Sequence, residues 1–274
     1  MPCAARSAPP GGADRRAGAS TPRPATIFSV EAARVPLAHP ASYFTARRIT
    51  PSMDPKEAAG EMAASFVRDG TVVGLGTGRT ADCATRALAR RVAGEGLRFE
   101  GICTSTATEK LAKSLGLRLT TLDEHPTVDM TIDGADEVSP SRDLIKGLGG
   151  ALLMEKVVAS ATKQYVIVAD DGKLVDVLGR KCPVPVEILK FGQRQTIARL
   201  AALGCAPKIR VRPDGSAFVT DCGNIIADCK FAEVAAPAET ESALNGIVGV
   251  VENGLFVGMR PRVVVGSASG AREI

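Results

Sequence analysis

Carboxylates crowd the segment DMTIDGADEV, in which Asp133, Asp136 and Glu137 directly follow an apolar run. Acidic residues repel one another and are poor strand residues, so their clustering at this point suggests chemistry. Two neighbouring carboxylates raise the pKa of one of them, and a nearby lysine such as Lys146 lowers it. A carboxyl group tuned in this way can take up and return a proton during catalysis.

A glycine run follows Lys146 and opens the next predicted helix, which carries Glu155. The backbone N–H groups of Gly147, Gly149 and Gly150 can hold a developing oxyanion. A base, a cation and polar anchors are the groups needed to remove a proton next to a carbonyl, and none of them requires a metal. Taken singly, each residue has a simpler interpretation: a cation site at the acids, an ion pair at Lys146, or a solvated helix face at Glu155. Their combination at these spacings favours an active site.

A glycine-rich turn, GLGTGRTA at residues 74–81, lies between a predicted strand and a predicted helix. Glycines let the backbone approach a ligand closely, and the start of a helix offers free N–H groups to an anion. The hydroxyls of Thr77 and Thr80 add donors, so the turn is typical of a phosphate cradle. It lacks the third glycine of a dinucleotide fingerprint and the Gly-Lys-Ser/Thr of a Walker A loop. A tight turn without a ligand is the alternative.

A second hydroxyl-rich helix start occurs in CTSTATEKLAKSLG, where Ser105 or Thr106 is a candidate N-cap and Thr108 falls in the first turn. Plain capping accounts for these residues when they are considered alone. Two such starts at the carboxyl edge of one parallel sheet favour a phosphate site, because ligands bind at that edge in open α/β sheets.

Helical and strand patterns alternate from Asp54 onward. Continuous apolar strands separated by helices of this length predict a parallel sheet that is covered on both faces. The predicted strands are TVVGLG, LRFEGICT, LRLTTL, TVDMTIDG and QYVIVAD, and the predicted helices are DPKEAAGEMAASFV, RTADCATRALARRVA, ATEKLAKSLG and GALLMEKVVASAT.

The pattern changes near Lys181 to a strand, a helix and antiparallel hairpins, followed by a helix around AETESALNG. This order predicts a small inserted α+β unit of the ferredoxin-like type, over residues 181–249. The strands KIRVR and FVTDCGNIIADCKF form its predicted hairpins. Short strands in the last segment are expected to return to the main sheet, so residues 53–180 and 250–274 form the predicted Rossmann-like domain.

The net charge of +4 is unevenly distributed, because residues 1–52 hold seven arginines and only two acids. The rest of the chain is therefore close to neutral, which is not the charge of a protein that binds nucleic acid. Residues 1–52 also hold 8 of the 17 prolines and show no periodic pattern, so we expect a disordered extension. An organelle transit peptide is the alternative for this Arg-rich, acid-poor segment.

Seven scattered cysteines without C-x-x-C spacing indicate reduced thiols, and only two histidines occur in the chain. A zinc site is therefore not expected. No apolar stretch approaches the roughly 20 residues of a membrane span. The sequence predicts neither a metal centre nor a membrane protein.

Several of these segments together resemble type A ribose-5-phosphate isomerase. The resemblance extends from about Met53 to the last residues, and its segments are GLGTGRTA, TSTATEKLAKSLG, DMTIDGADEV, LIKGLGGALLMEK, VIVADDGKLVDVLG, PVPVEIL and GVVENGLF. It implies interconversion of ribose 5-phosphate and ribulose 5-phosphate in the pentose phosphate pathway. It also implies a metal-free enediolate mechanism with no cofactor, and a Rossmann-like domain with an inserted α+β domain.

The resemblance assigns catalytic roles to four residues. Glu155 is the expected base that moves a proton between C2 and C1, and Lys146 is expected to stabilise the charge on oxygen. Asp133 assists opening of the sugar ring, with Asp136 beside it. The expected substrate-binding residues are Lys56, Gly76, Thr77, Gly78, Thr80, Ser105, Thr108, Gly134, Ala135, Gly147, Leu148, Gly149 and Lys173.

The family pattern also implies a homodimer or homotetramer that works on a small-molecule substrate. We expect a cytoplasmic location, or a plastid if residues 1–52 are a transit peptide. A non-catalytic sugar-phosphate sensor is the alternative function. Three positions depart from the pattern. Arg79 stands where Ser is usual, Leu148 interrupts a glycine run, and Met154 replaces a usual Arg beside the base.

Overall fold

The structure is a computed structural model, and it describes residues 53–274. The disordered extension and the transit peptide predicted for residues 1–52 lie outside the described residues. Within the described part, no helix has the length and apolar character needed to cross a bilayer.

Helices and strands alternate along most of the described chain. In chain order the elements are α1 (Pro55–Ala64), β1 (Thr71–Leu75), α2 (Arg79–Glu95), β2 (Phe99–Cys103), α3 (Thr106–Ser114), β3 (Val128–Gly134), β4 (Glu137–Val138), β5 (Leu144–Ile145), α4 (Leu152–Ser160), β6 (Thr162–Asp170), β7 (Val184–Ile188), α5 (Gln193–Ala202), β8 (Ala206–Ile209), β9 (Ile225–Lys230), α6 (Pro237–Asn245), β10 (Val250–Asn253), β11 (Leu255–Phe256), β12 (Arg262–Ser267) and β13 (Gly270–Glu273).

The main sheet has six strands in the order β13-β12-β6-β3-β1-β2. All its pairs are parallel except β12 with β13, which forms an antiparallel edge. Side chains alternate between the two faces of each strand. Val166 and Val168 of β6 pack in the core formed with α1 and α2, whereas Ile167 packs in the opposite core with Ala159 of α4. The predicted parallel sheet with helices on both faces is therefore confirmed.

A smaller antiparallel sheet has the strand order β10-β7-β9-β8, with α5 and α6 packed on it. Its core joins Val186 of β7 and Ala227 of β9 to Leu200 of α5 and Leu244 of α6. This is the predicted α+β unit. Strand β10 still belongs to the small sheet, and the chain re-enters the main sheet at β12. The division into domains at residues 181 and 249 stays a prediction.

Two predicted strands differ from the structure. The segment LRLTTL forms one bridge, between Leu119 and Gly101, because the chain turns at Thr121, whose carbonyl accepts from the amide of His125 at 2.9 Å. The strand KIRVR ends at Ile209, and Val211 beyond it forms only a single bridge. In both cases the β-branched and apolar pattern is present and a neighbouring strand is available, β2 for Leu119 and β9 for β8, but the pairing does not continue along the whole predicted segment.

Candidate active site

Three buried charged side chains meet where β3, β5 and α4 converge. The Nζ of Lys146, the residue after β5, lies 3.0 Å from Oδ2 of Asp133 and 3.2 Å from Oε1 of Glu155. The same ammonium donates to the carbonyl of Gly134 at 2.5 Å. Lys146 is 2% exposed, Asp133 0% and Glu155 4%, so solvent hardly screens their interaction. The sequence-predicted base, cation and acid are therefore brought together.

Asp133 is held by two backbone amides, one in the turn between β1 and α2 and one at the end of its own strand. Its Oδ1 accepts from the amides of Thr77 at 3.1 Å and Gly134 at 2.7 Å. Burial raises the pKa of Asp133, although Lys146 and these hydrogen bonds oppose the rise. Burial disfavours the charged form of Lys146, but the carboxylates of Asp133 and Glu155 outweigh burial and raise its pKa, so the ammonium form persists.

Glu155 lies in the first turn of α4, and its amide donates to the carbonyl of Ala151 at 3.0 Å. Burial raises the pKa of Glu155 to about 8; Lys146 opposes the rise and Asp133 adds to it. The Oε2 of Glu155 is buried and accepts no hydrogen bond from any residue between 53 and 274. This oxygen is therefore free to exchange a proton with a bound molecule.

The glycine loop, residues 147–150, joins β5 to α4. Gly147 and Gly150 have positive φ angles of 100° and 86°, which favour glycine. The amide of Leu148 donates to Oδ2 of Asp136 at 2.9 Å, so this carboxylate fixes the loop. Leu148 itself is 42% exposed and points away from the buried charges.

The turn between β1 and α2 places hydroxyls in one cluster. The Oγ1 of Thr77 lies 2.8 Å from the hydroxyls of both Thr104 and Ser105, and 3.2 Å from that of Thr108. Gly76 backs onto Asp133, because a Cβ on this glycine would lie 2.3 Å from the Oδ1 of that acid. The turn is therefore packed against the charged group as well as open to a ligand.

A cavity of about 160 Å³ opens above these groups. Besides Lys146, three cations line it: Lys56, Arg79 and Lys173. Lys56 also pairs with Asp170 at 3.3 Å. The full lining is Lys56, Thr77, Gly78, Arg79, Thr80, Gly134, Ala135, Asp136, Lys146, Gly147, Gly149, Glu155 and Lys173.

Most of the sequence-predicted site residues line this cavity, and five do not. Asp133 lies beneath its floor, in contact with Lys146. Gly76, Ser105 and Thr108 lie behind Thr77, whose hydroxyl they support directly or through the backbone. The side chain of Leu148 is exposed, and only its backbone takes part, through its amide to Asp136 and its carbonyl to Arg210.

Several further contacts in and around the site are not predicted from the sequence. Arg210, next to β8, donates to the carbonyls of the glycine loop, and Thr104 joins the hydroxyl cluster. Lys156, the residue after Glu155, has its ammonium held by two acids and lies 5.0 Å from the ring of Phe256. Glu137 is also structural, since its carboxylate accepts three backbone amides, those of residues 179, 181 and 182. No local pattern marks these residues, because each contact joins segments far apart in the chain.

Met154 lies beside Glu155 in sequence but borders a different, largely apolar hollow with Leu153 and Val157. Successive residues of a helix point in different directions, so the neighbour of the base does not reach the cavity. Nothing in the structure explains the replacement of the usual Arg by Met154.

Residues 100–270 match the family model described as ribose 5-phosphate isomerase A (phosphoriboisomerase A). The chain is 48% identical over 220 residues to ribose-5-phosphate isomerase A of Synechococcus sp., an alignment that covers 80% of this chain and 96% of the relative. The chain is also 50% identical over 216 residues to ribose-5-phosphate isomerase A of Gloeobacter violaceus. This alignment covers 78% of this chain and 93% of the relative.

Solved structures of similar proteins agree. Ribose 5-phosphate isomerase A from Methanocaldococcus jannaschii superposes with a TM-score of 0.77 at 38% identity, covering 81% of this chain and 98% of that one. A D-ribose-5-phosphate isomerase in complex with phospho-erythronic acid superposes with a TM-score of 0.78 at 33% identity. This match covers 81% of this chain and 99% of that one. These matches extend over nearly the whole described part, including the cavity and its buried charges. The chain belongs to the ribose 5-phosphate isomerase A family.

Proposed function

We propose that this protein interconverts D-ribose 5-phosphate and D-ribulose 5-phosphate in the non-oxidative branch of the pentose phosphate pathway. The observation that carries the proposal is the buried group of Lys146, Asp133 and Glu155, held within 3.2 Å at the floor of a cavity edged by cations. A similar protein has been solved with phospho-erythronic acid, a small phosphorylated sugar acid. The chain is thus an enzyme, an aldose–ketose isomerase.

The phosphate is expected at the start of α2. This helix has 17 residues, and its first turn presents backbone N–H groups and the positive end of the helix dipole. Gly78 has a φ of 106°, and a Cβ there would meet no atom within 4 Å, so the backbone is open to an anion. Thr80 supplies a hydroxyl, and Lys56 and Lys173 supply charge from the other side of the cavity.

The proton transfer is assigned to Glu155. In the direction from aldose to ketose, its carboxylate takes the proton from C2, the C1 carbonyl oxygen becomes an enediolate oxygen, and the same carboxyl returns the proton to C1. The hydroxyl proton on O2 moves to O1. Lys146 stabilises the negative oxygen, helped by backbone N–H groups of Gly147 and its neighbours. Because the ammonium supplies the positive charge, this mechanism needs no metal or cofactor.

Ring opening precedes this step, since the sugar phosphate enters mainly as a closed ring. Asp133 assists the opening from beneath the cavity, through its contact with Lys146, and Asp136 binds substrate hydroxyls at the cavity wall. Burial, opposed in part by Lys146, raises the pKa of Glu155 to about 8, close to the operating pH at which a general base is most effective.

The test is direct. Purified full-length chain is incubated with ribose 5-phosphate and a chelator, and formation of the ketose is followed with time. Ketose formation at an undiminished rate supports the metal-free isomerase, and an inactive protein, with or without chelator, refutes it. A sugar-phosphate sensor is not favoured, because sensing requires no buried base with a free oxygen.

We further propose a homodimer or homotetramer and a cytoplasmic location. Exposed apolar side chains support association between copies, since Phe191 is 92% and Val248 81% exposed. Light scattering on the purified protein measures the mass, and a monomer would contradict the first proposal. Cell fractionation tests the second, with a plastid location as the competing outcome.

A further inference from the structure

We infer that Arg210, which belongs to the small α+β unit, is a positioning residue for the glycine loop of the active site. The inference rests on the proposed function, because it concerns the enediolate oxygen of that reaction. Arg210 lies next to β8, and its side chain is 13% exposed. Its Nη1 donates to the carbonyl oxygens of Gly147 at 2.9 Å and Leu148 at 3.0 Å.

The direction of these carbonyls fixes the direction of the following amides. In a planar trans peptide the N–H points opposite to the C=O. Since the carbonyl of Gly147 points to Arg210, the amide of Leu148 points the other way, and it does donate to Asp136 at the cavity wall at 2.9 Å. The carbonyl of Leu148 also points to Arg210, so the amide of Gly149 points the other way. Gly149 lines the cavity, and its amide is directed toward it.

The amide of Gly149 is available to a ligand. No residue in the described range 53–274 accepts a hydrogen bond from it. A free N–H at the wall of the cavity that Lys146 also lines is the type of donor that stabilises a developing oxyanion. Arg210 therefore acts on the reaction through this amide, without touching the substrate.

Arg210 is itself held rigidly. Its Nε donates to Oδ2 of Asp228 in β9 at 2.9 Å, and its Nη2 pairs with the second oxygen of the same carboxylate. Its guanidinium lies 5.7 Å from the ring centre of Phe218, which packs so closely on Gly150 that a Cβ there would lie 2.4 Å from the ring. A planar guanidinium can make all these bonds at once, and an ammonium cannot.

The hairpin that carries Phe218 is also anchored at its far end. Asp221 accepts from the amide of Thr106, the first residue of α3, at 2.7 Å. The small unit thus contacts the glycine loop through Arg210 and the start of α3, which lies behind the cavity, through Asp221. The small unit therefore fixes the conformation of the glycine loop.

The experiment compares wild type, Arg210→Ala and Arg210→Lys by steady-state kinetics with ribose 5-phosphate. We expect kcat of Arg210→Ala to fall by about 10- to 100-fold, less than the roughly 10²- to 10³-fold loss on removing an oxyanion donor outright. KM should change less than kcat, because the variant weakens a donor to the developing oxyanion and leaves the helix start and hydroxyls of the phosphate cradle in place. Added guanidinium ion, below denaturing concentration, should restore part of kcat. Arg262→Ala is the matched control, since it breaks the ion pair with Glu273 far from the cavity and should keep its kcat with or without guanidinium.

Each outcome decides the question. An unchanged kcat, a rise of KM in place of the fall in kcat, or no rescue by guanidinium overturns the role of Arg210. If the alanine variant does not fold, Arg210→Lys keeps a cation opposite Asp228: a lowered kcat at the wild-type melting temperature supports the inference, and a wild-type kcat overturns it. A wild-type protein without isomerase activity refutes the proposed function instead.

Discussion

Replacing Glu155 with Gln separates the catalytic cost of this buried carboxyl from its cost to stability. The amide resembles the protonated acid in shape, so Lys146 keeps Asp133 as its partner at 3.0 Å. The variant has no base to move the proton between C2 and C1. We expect kcat to fall by about 10²- to 10⁴-fold, while the phosphate cradle still binds the substrate.

The same variant should be more stable than the wild type at high pH, although its activity is lower. The pKa of Glu155 rises from its ordinary value of 4.5 to about 8, mainly through burial. The folded protein therefore holds a proton that the unfolded chain releases, and wild-type stability falls as pH rises from about 4.5 through about 8. At about 1.4 kcal/mol for each pKa unit, this cost reaches about 5 kcal/mol at pH 9. The Gln variant never ionises, so it escapes the cost.

The assay is urea unfolding of both proteins at pH 5 and pH 9. We expect similar free energies of unfolding at pH 5 and a more stable variant at pH 9. Glu239→Gln, at an exposed residue in the first turn of α6, is the control and should behave like wild type at both values. Equal pH dependence of wild type and Glu155→Gln would show that the carboxyl is not buried as described. A near-normal kcat would remove Glu155 from the mechanism.

Three other variants test the surrounding contacts. Lys146→Met leaves the buried carboxylate of Asp133 without its cation, so we expect the free energy of unfolding to fall by about 3–5 kcal/mol and activity to disappear; an unchanged urea midpoint would contradict this. Arg79→Ser removes a cation at the cavity edge, so KM for the sugar phosphate should rise more than kcat falls, and a large loss of kcat at constant KM would refute that role. Gly76→Ala places a Cβ 2.3 Å from Oδ1 of Asp133 and should destabilise the fold by about 1–3 kcal/mol in thermal unfolding. Gly94→Ala in α2 is its control: a Cβ there meets nothing within 4 Å, so it should stabilise by about 0.5–1 kcal/mol, and equal effects of the two would refute the packing argument.

Local sequence patterns predict most of the elements and the candidate residues for the chemistry, although LRLTTL forms only one bridge and the strand at KIRVR ends at Ile209. The parallel sheet follows from continuous apolar strands such as QYVIVAD between helices, because only strands covered on both faces are apolar throughout. Glycines at turns and hydroxyls at helix starts predict a phosphate cradle at residues 74–81. The acids around Asp133, with Lys146 and Glu155, carried the resemblance to the family. All these signals lie within short segments, where periodicity and residue type are readable directly.

The tertiary structure decided how these residues act on one another. Burial raises the pKa of Glu155, and burial depends on strands and helices from distant parts of the chain. Glu137 belongs to the same acidic segment as Asp133, yet its carboxylate binds backbone amides of a loop more than forty residues later, as separations of 42, 44 and 45 residues show. Arg210 lies 63 residues from Gly147 in sequence and 2.9 Å from its carbonyl in space. The sequence thus determines which side chains are available, and the packing of distant segments determines which of them are charged, which are structural and which face the substrate.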